Sequence, residues 1–599
     1  EICYHITKIY LKIRLSSYYN LTLTNSGTKT FASAGTINVT NMVTLQDAVI
    51  FDVSTNTLNG VGGLTMNGTS ELRLARSATV PELTGTYNIT GGTITLNGAG
   101  NQTIRSLNAV PSAYYNLNLA NTAIKSLAGA ITVQNNLTLS STAQLDVGAS
   151  NYMITLGGHW NVTSTNADPF VQRNGTVLFN GIAEQTISTV LAGGETFYNF
   201  TVNNPVGVKL NTIISAGNDL TIESGAVLNS NNFNMFVGRN WVNNGGNFLP
   251  VTNTVDFNGG AAQLISATTT ASFYNIIFSN SNTKLLGCNI SVSNALQIRD
   301  NAVLDVSASN FGISIAGDWT VTSANANPFI ERSGTVTFNG VALQNISTIL
   351  LAGETFYNFI ISNNTSGVRI QNPINVTANL TINAGAFLDA NNKDITVAGN
   401  WTNNAGNFIP TTGRVTFNGT TTQTITNLTG ETFYNVTLNA SGILTLDGSS
   451  NMKITNNFTM TAGNFDLNGR ILTLGDGANA SLNRTSGILY GGVLKRYIAT
   501  GSAITYNSAS NLGLFPVGSA TEYRPVELES IVAPTASGFV SVSHTDAINV
   551  SDVVYIDNEG DPISRITDMY SSISTSGGFS GGTYKVHVTM TSLSPVGLV

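Results

Sequence analysis

The phrases "GETFYNFTVNN", "GETFYNFIISNN" and "GETFYNVTLNA", around residues 195, 354 and 431, mark a chain written by repetition. An aromatic-Tyr-Asn element recurs as "YYN" ending at Asn20 and Asn116, then as "FYN" ending at Asn199, Asn275, Asn358 and Asn435. All four tryptophans, Trp160, Trp241, Trp319 and Trp401, keep the same beat, and an "FNG" with Phe179, Phe257, Phe338 or Phe417 follows each. Gln185, Gln263, Gln344 and Gln423 come next, each with Ile two positions on. The beat defines a unit of about 80 residues. A longer period lies above it: Trp160 corresponds to Trp319 and Trp241 to Trp401, so a two-part unit of about 160 residues is duplicated. A fixed period points to an array in which each repeat buries its apolar face against its neighbours.

Within each unit the texture is short alternating runs such as "GTVTFNG" and "DITVAG", broken by Asn and Gly, with no helical stretch. Strands without helices in a periodic chain predict an all-β fold, a right-handed parallel β-helix. Evenly spaced landmarks such as Trp160, Phe179 and Tyr198 suggest coils of about 20 residues, four to a unit. On this reading residues 1–15 form an N-terminal strand or cap, 16–489 the solenoid, and 490–599 a β-sandwich-like module. Past residue 490 there is no Trp, "FNG" or "FYN", and longer runs such as "EYRPVELESI" appear. That module would cover strand edges the last coil leaves open. Large aromatics must sit where the cross-section can hold them, so the Phe-Tyr pairs, with Tyr198, Tyr274, Tyr357 and Tyr434, read as a packing register. The Asn of "FYN" and "FNG" reads as a turn residue suited to left-handed backbone.

Charged residues are 10% of the chain, against about 25% in ordinary globular proteins. A net charge of −7 with scattered Lys and Arg offers no footprint for nucleic acid. Two cysteines, Cys3 and Cys288, form no disulfide framework, and Cys288 reads as a small buried residue. No run reaches the ~18 apolar residues of a membrane-spanning helix. The N-terminus lacks an initiator Met and a signal-peptide core. Its Ile9, Leu11, Ile13 and Leu15 alternate with polar residues as in a strand, so the chain reads as a processed form or an excerpt.

Candidates for chemistry are few. Asp52, Asp146, Asp305 and Asp389 recur at one position where another copy has Asn229, which fits a turn and not an acid or base. Glu195, Glu354 and Glu431 are replaced by Ser16, Ser112 and Ala271 in the other copies, which reads as a solvated position. His5, His159, His544 and His587 share no metal-like spacing, and no nucleophile elbow or phosphate loop occurs. An outward-facing Trp series would make a ladder for stacking sugars, and "TTTQTIT" at 420–426 a flat hydroxyl array like those of ice-binding solenoids. The sequence "DNEGDP" brings Asp557, Glu559 and Asp561 together as a calcium candidate, with a solvated acidic turn as the plainer account. No catalytic residue and no other cofactor is indicated.

The stretch "GNWTNNAGNFIPTTGRVTFNGTTTQTI" (399–425), then "ETFYNVTLN" (431–439) and "LFPVGSATEYRPVEL" (514–528), resembles the large repetitive β-helical surface and secreted proteins of the Bacteroidota. The resemblance covers nearly the whole chain. It implies export across both membranes, commonly by the type IX route, and a place on the cell surface or outside the cell as an adhesin-like or structural stalk. The chain departs from that pattern in showing neither signal peptide nor sorting domain, and the family motif brings no catalytic residues with it. A structural or adhesive extracellular protein is therefore expected, partnered by itself in a filament or by surface glycans and other cells. The rival is a secreted polysaccharide-binding or polysaccharide-degrading β-helix protein.

Overall fold

A computed structural model describes residues 17–589 apart from 32–33, 108–112, 449–450, 547–549, 557–561 and 568. The described residues are all-β, with no helix, and fold as a parallel β-solenoid. In most of the solenoid each strand pairs with the strand third from it in sequence, so a turn contributes three strands, one to each of three sheets. Two compact units divide the chain, one reaching Ser291 and including Ile298–Asp305, the other comprising Val292–Gln297 and Val306 onward.

In the first unit, strands Ile131–Val133, Ile154–Leu156, Thr176–Phe179, Asn199–Val202, Leu220–Ile222, Trp241–Asn243 and Gln263–Ala267 pair in parallel. Their inward residues Ile131, Ile154, Val177, Phe200, Leu220, Trp241 and Ile265 form one buried column. The period-2 alternation of the sequence puts every second side chain into that core. The second unit repeats the construction with Ile374, Ile395, Val415, Val436, Phe458 and Leu482.

Turn length is less regular than the landmarks suggest. Phe197 stacks on Ala216 across a short turn, whereas Trp160 stacks on Ile187 across a longer one. Trp160, Phe179 and Tyr198 are therefore not one column. Trp160 lies between Leu137 and Ile187, and Phe179 between Leu156 and Val202.

Parallel pairing ends in the second unit at strand Val493–Ile498. That strand takes Ile471–Leu474 in parallel on one edge and Gly538–Thr545 antiparallel on the other. Tyr570–Ser576 extends this sheet, and a separate antiparallel set joins Leu514–Phe515, Val526–Val532 and Thr583–Val588. The fully buried Arg496 holds the junction: its guanidinium donates to the carbonyls of Asn511 at 2.5 Å, Leu514 at 2.7 Å and Ala480 at 3.1 Å. The expected N-terminal strand at 1–15 lies outside the described residues.

Candidate functional site

The repeated residues converge on three internal constructions. The first is aromatic. Trp160 meets Phe170, Phe197 and Phe179 with ring centroids at 4.8, 5.3 and 6.5 Å. Trp241, Trp319 and Trp401 gather Phe248, Phe273 and Phe257, then Phe329, Phe356 and Phe338, then Phe408, Phe433 and Phe417 in the same way. The "FNG" and "FYN" phrases recur because each supplies one Phe to a cluster around a Trp. All four indoles are buried, at 0–1% exposure, which removes the sugar-stacking ladder. Only the Phe of each Phe-Tyr pair lies in the core; Tyr198, Tyr274, Tyr357 and Tyr434 are half-buried.

The second construction corrects the reading of the glutamates. Glu195, Glu354 and Glu431 are buried and face these indoles rather than water. Trp401 Nε1 donates to Glu431 Oε2 at 2.8 Å, joined by Asn403 Nδ2 at 2.9 Å, and Trp319 Nε1 lies 3.4 Å from Glu354 Oε2. In the Trp160 copy the indole N–H faces Glu195 and acts to lower its carboxyl pKa, but the two form no well-aligned hydrogen bond. Burial pushes the Glu195 and Glu354 carboxyls up to about 7, and raises that of Glu431 also. Ala271 takes the Glu position in the remaining copy, where Trp241 Nε1 is buried without an acceptor among the described residues. Replacement by Ala signals a solvated site only if the position faces solvent, and this one does not.

The third is a clasp built on Gln. Gln344 Oε1 accepts the N–H of Gly340 at 2.8 Å, while its Nε2 donates to Ile315 O at 3.0 Å and Gly317 O at 2.8 Å on the turn before. Gln185, Gln263 and Gln423 do the same with Gly181, Gly259 and Gly419. Gln102 makes a fifth copy, with Gly98 and the carbonyls of Leu74 and Arg76. A side chain that donates twice and accepts at least once while fully buried leaves no amide group unpaired. The glycine is needed for close approach, since a Cβ on Gly340 would lie 2.1 Å from Ala316 O.

Beside the clasp stands a residue that sequence reasoning missed. Lys125 and Lys284, both fully buried, donate to Gly98 O and Thr122 O at 2.8 Å each, and to Gly259 O and Ser281 O at 2.6 and 3.0 Å. Burial lowers both ammonium groups to about 8. In the alternate copies Asn204 and Asn363 take this role, bonding Gln185 and Gln344 as well as Ala183 O and Ala342 O. The signal was available: Lys125 and Lys284, like Asn204 and Asn363, recur at the same separation as Trp160 and Trp319. The duplication is thus written in buried polar chemistry.

Turn asparagines behave differently from expectation. Asn199, Asn275, Asn358 and Asn435 are not left-handed, nor are the asparagines of "FNG". Asn199, Asn358 and Asn435 instead bond the next turn, Asn199 Oδ1 accepting Asn218 Nδ2 at 2.8 Å. Left-handed backbone falls at other corners, including Asn231, Asn391 and Asn468. The repeating Asp position does form turns: Asp52, Asp146 and Asp389 accept backbone N–H groups two residues on at 2.8 Å, and so does Asn229. Asp305 is buried. Thr420 to Thr422 lie in a corner, so only Thr424 and Thr426 of "TTTQTIT" belong to a strand.

Outside these constructions, functional groups also gather at grooves and in the C-terminal strands. A groove of about 450 Å³ in the first unit is lined by Met153, Thr176, Leu178, Thr201, Asn203, Glu223 and Ser224. A smaller one of about 220 Å³ in the second unit holds Phe387 beside the Arg369–Asp389 ion pair. In the C-terminal strands His544 Nδ1 sits 3.1 Å from Ser571 Oγ, a cross-strand pair. Burial and the Arg524 guanidinium hold His544 below its usual range, opposing the positive charge that proton transfer from Ser571 would create. His159 accepts the Thr186 backbone N–H at Nδ1, and Cys288 is buried with a raised thiol pKa. No cluster of three or more His, Cys, Asp or Glu able to hold a metal occurs among the described residues. Asp557, Glu559, Asp561 and His5 lie outside those residues. No described helix is long and apolar enough to cross a membrane. No family model, curated protein or solved structure matches the chain.

Proposed function

We propose that the chain is an extracellular structural or adhesive protein whose solenoid serves as a rigid stalk or filament-forming scaffold at the cell surface. One observation carries the reading: the Trp, the Gln and the Phe of the aromatic phrases recur in register and are turned inward, bonded or packed between turns, and Glu joins them in three copies. A chain that repeats its buried contacts and varies its surface is organised for mechanical continuity, with contributions that sum turn by turn. The resemblance to surface and secreted repeat proteins of the Bacteroidota supports the same reading. Immunogold electron microscopy of intact source cells, with antibody to the solenoid, tests it. Regular labelling of surface projections or extracellular filaments is expected; label confined to single soluble particles in the medium would overturn it.

A second reading, a secreted polysaccharide-binding or polysaccharide-degrading protein, is favoured by the first-unit groove, whose Met153, Leu178, Asn203 and Glu223 give way to Gly312, Thr337, Ser362 and Asn383 in the duplicate. A lining that departs from its own repeat marks a place free to acquire a separate role. Incubation with acidic and neutral polysaccharides, read by reducing ends and by unsaturation, would show cleavage if this reading holds.

A further inference from the structure

The chain contains ten Asn–Gly pairs, at Asn59, Asn67, Asn97, Asn174, Asn180, Asn244, Asn258, Asn339, Asn418 and Asn468. Asn–Gly is the dipeptide most prone to spontaneous deamidation. The glycine nitrogen gives up its proton and attacks Asn Cγ, ammonia leaves, and water opens the resulting succinimide to aspartyl or isoaspartyl. One water enters and one ammonia departs. The reaction needs a glycine N–H free to ionise and an Asn free to swing its carboxamide over that nitrogen.

Five of the ten pairs are held against both requirements. In Asn97–Gly98, Asn180–Gly181, Asn258–Gly259, Asn339–Gly340 and Asn418–Gly419 the glycine is buried, and its N–H is donated to the clasp Gln Oε1 at 2.7–3.0 Å. The Asn N–H of each pair donates at 2.9–3.1 Å to the same preceding-turn carbonyl that accepts the clasp Nε2: Leu74, Leu156, Val237, Ile315 and Val397. Nucleophile and backbone are fixed in one closed ring of hydrogen bonds. Gly175, Gly245 and Gly469 also donate their N–H groups, to Gln172 O, Asn243 Oδ1 and Gly491 O. Gly60 ends strand Thr57–Gly60, and a Cβ there would lie 2.2 Å from Val39 O. Asn67–Gly68 differs from all of these. It opens an exposed turn closed by Ser70 N–H onto Asn67 O at 3.2 Å, Gly68 has φ of 56°, and its N–H has no acceptor among the described residues.

We infer that the Gln clasp is a chemical guard that keeps five Asn–Gly pairs from deamidating, and that Asn67 is the position at which the folded chain converts to aspartyl and isoaspartyl. Close packing demands glycine after "FN" in four copies and after "LN" in the Asn97 copy, so the labile dipeptide is unavoidable there, and the clasp is what makes it durable. A guarded pair can react only when its turn opens, so its rate falls with the open fraction.

The test is peptide mass mapping of the whole chain after incubation in mildly alkaline buffer, folded and in guanidinium chloride. The expected result is deamidation at the five guarded pairs at least about a hundredfold slower folded than unfolded, with Asn67 within a few-fold of its unfolded rate. Guarded pairs reacting within about tenfold of their unfolded rates, or Asn67 as slow as they are, would overturn the inference. Gln344→Leu sharpens the assignment: Asn339 should accelerate while Asn97, Asn180, Asn258 and Asn418 in the same molecule do not. An unchanged Asn339 in that variant would sink the role of the clasp. Should the variant lose its fold, all five would accelerate together, and the wild-type comparison still decides.

Discussion

Replacing Glu354 by Gln should make the protein more stable at pH 8 and leave it nearly unchanged at pH 4.5. The carboxyl is 2% exposed, and burial lifts it from 4.5 to about 7, opposed by N–H donors of Thr355 and Trp319 and reinforced by the charge of Glu331. The folded chain therefore holds this proton more tightly than the unfolded chain does. Stability is full below the unfolded value of 4.5, falls as pH rises through the window up to about 7, and is flat above it. At ~1.4 kcal/mol per pH unit, the neutral amide should recover about 3 kcal/mol above that window. Urea unfolding followed by tryptophan fluorescence suits the measurement, because all four indoles are buried and Trp319 is the residue Glu354 faces. A Gln variant equally destabilised at both pH values would refute the reasoning, since it would mean that the ionised carboxylate is satisfied by its donors. Glu195, raised to about 7 by the same cause, should behave alike.

Three further outcomes follow from the geometry. Trp401→Ala should lose about 3–5 kcal/mol, because it empties a centre shared by Phe408, Phe417 and Phe433 and strips Glu431 of a donor, whereas Tyr434→Ala, at a half-buried position, should lose far less in the same urea assay. Gln263→Leu should cost about 3 kcal/mol by leaving Gly259 N–H and the Arg239 carbonyl unpaired and taking one of two donors from Val237 O, with faster amide exchange local to those turns as the second readout. Asp389→Asn should stay within about 0.5 kcal/mol of the parent, since Asn229 already makes the same turn, while Asp389→Ala should cost about 1 kcal/mol by thermal melting.

Much of the architecture is legible in the sequence because strands and turns obey local rules. Alternation in "GTVTFNG" sets which residues of Thr335–Phe338 face inward, and the Asp or Asn that ends strands such as Phe387–Asp389 and Val227–Asn229 forms its own turn. What escapes is anything that depends on which strand lies above which. Trp160, Phe179 and Phe197 sit on different strands and meet only across the interior, so their even spacing along the chain is not the length of a turn. Burial of Glu354 cannot be read from its neighbours either, because "GETFYN" alternates equally well with Glu inside or outside. Gln344 looks like one more polar residue until its two carbonyl partners on the preceding turn, Ile315 and Gly317, are brought beside it.

The clasps also have a direction. Each Gln bonds carbonyls on the turn that precedes it in the chain, Gln102 to Leu74, Gln185 to Leu156, Gln263 to Val237, Gln344 to Ile315 and Gln423 to Val397. Lys125, Lys284, Asn204 and Asn363 reach back likewise. At these positions a chain emerging from its amino end adds donors to acceptors already in place. For a solenoid that grows by neighbour contacts, growth can keep pace with emergence, one turn behind the exit, with no distant segment to wait for.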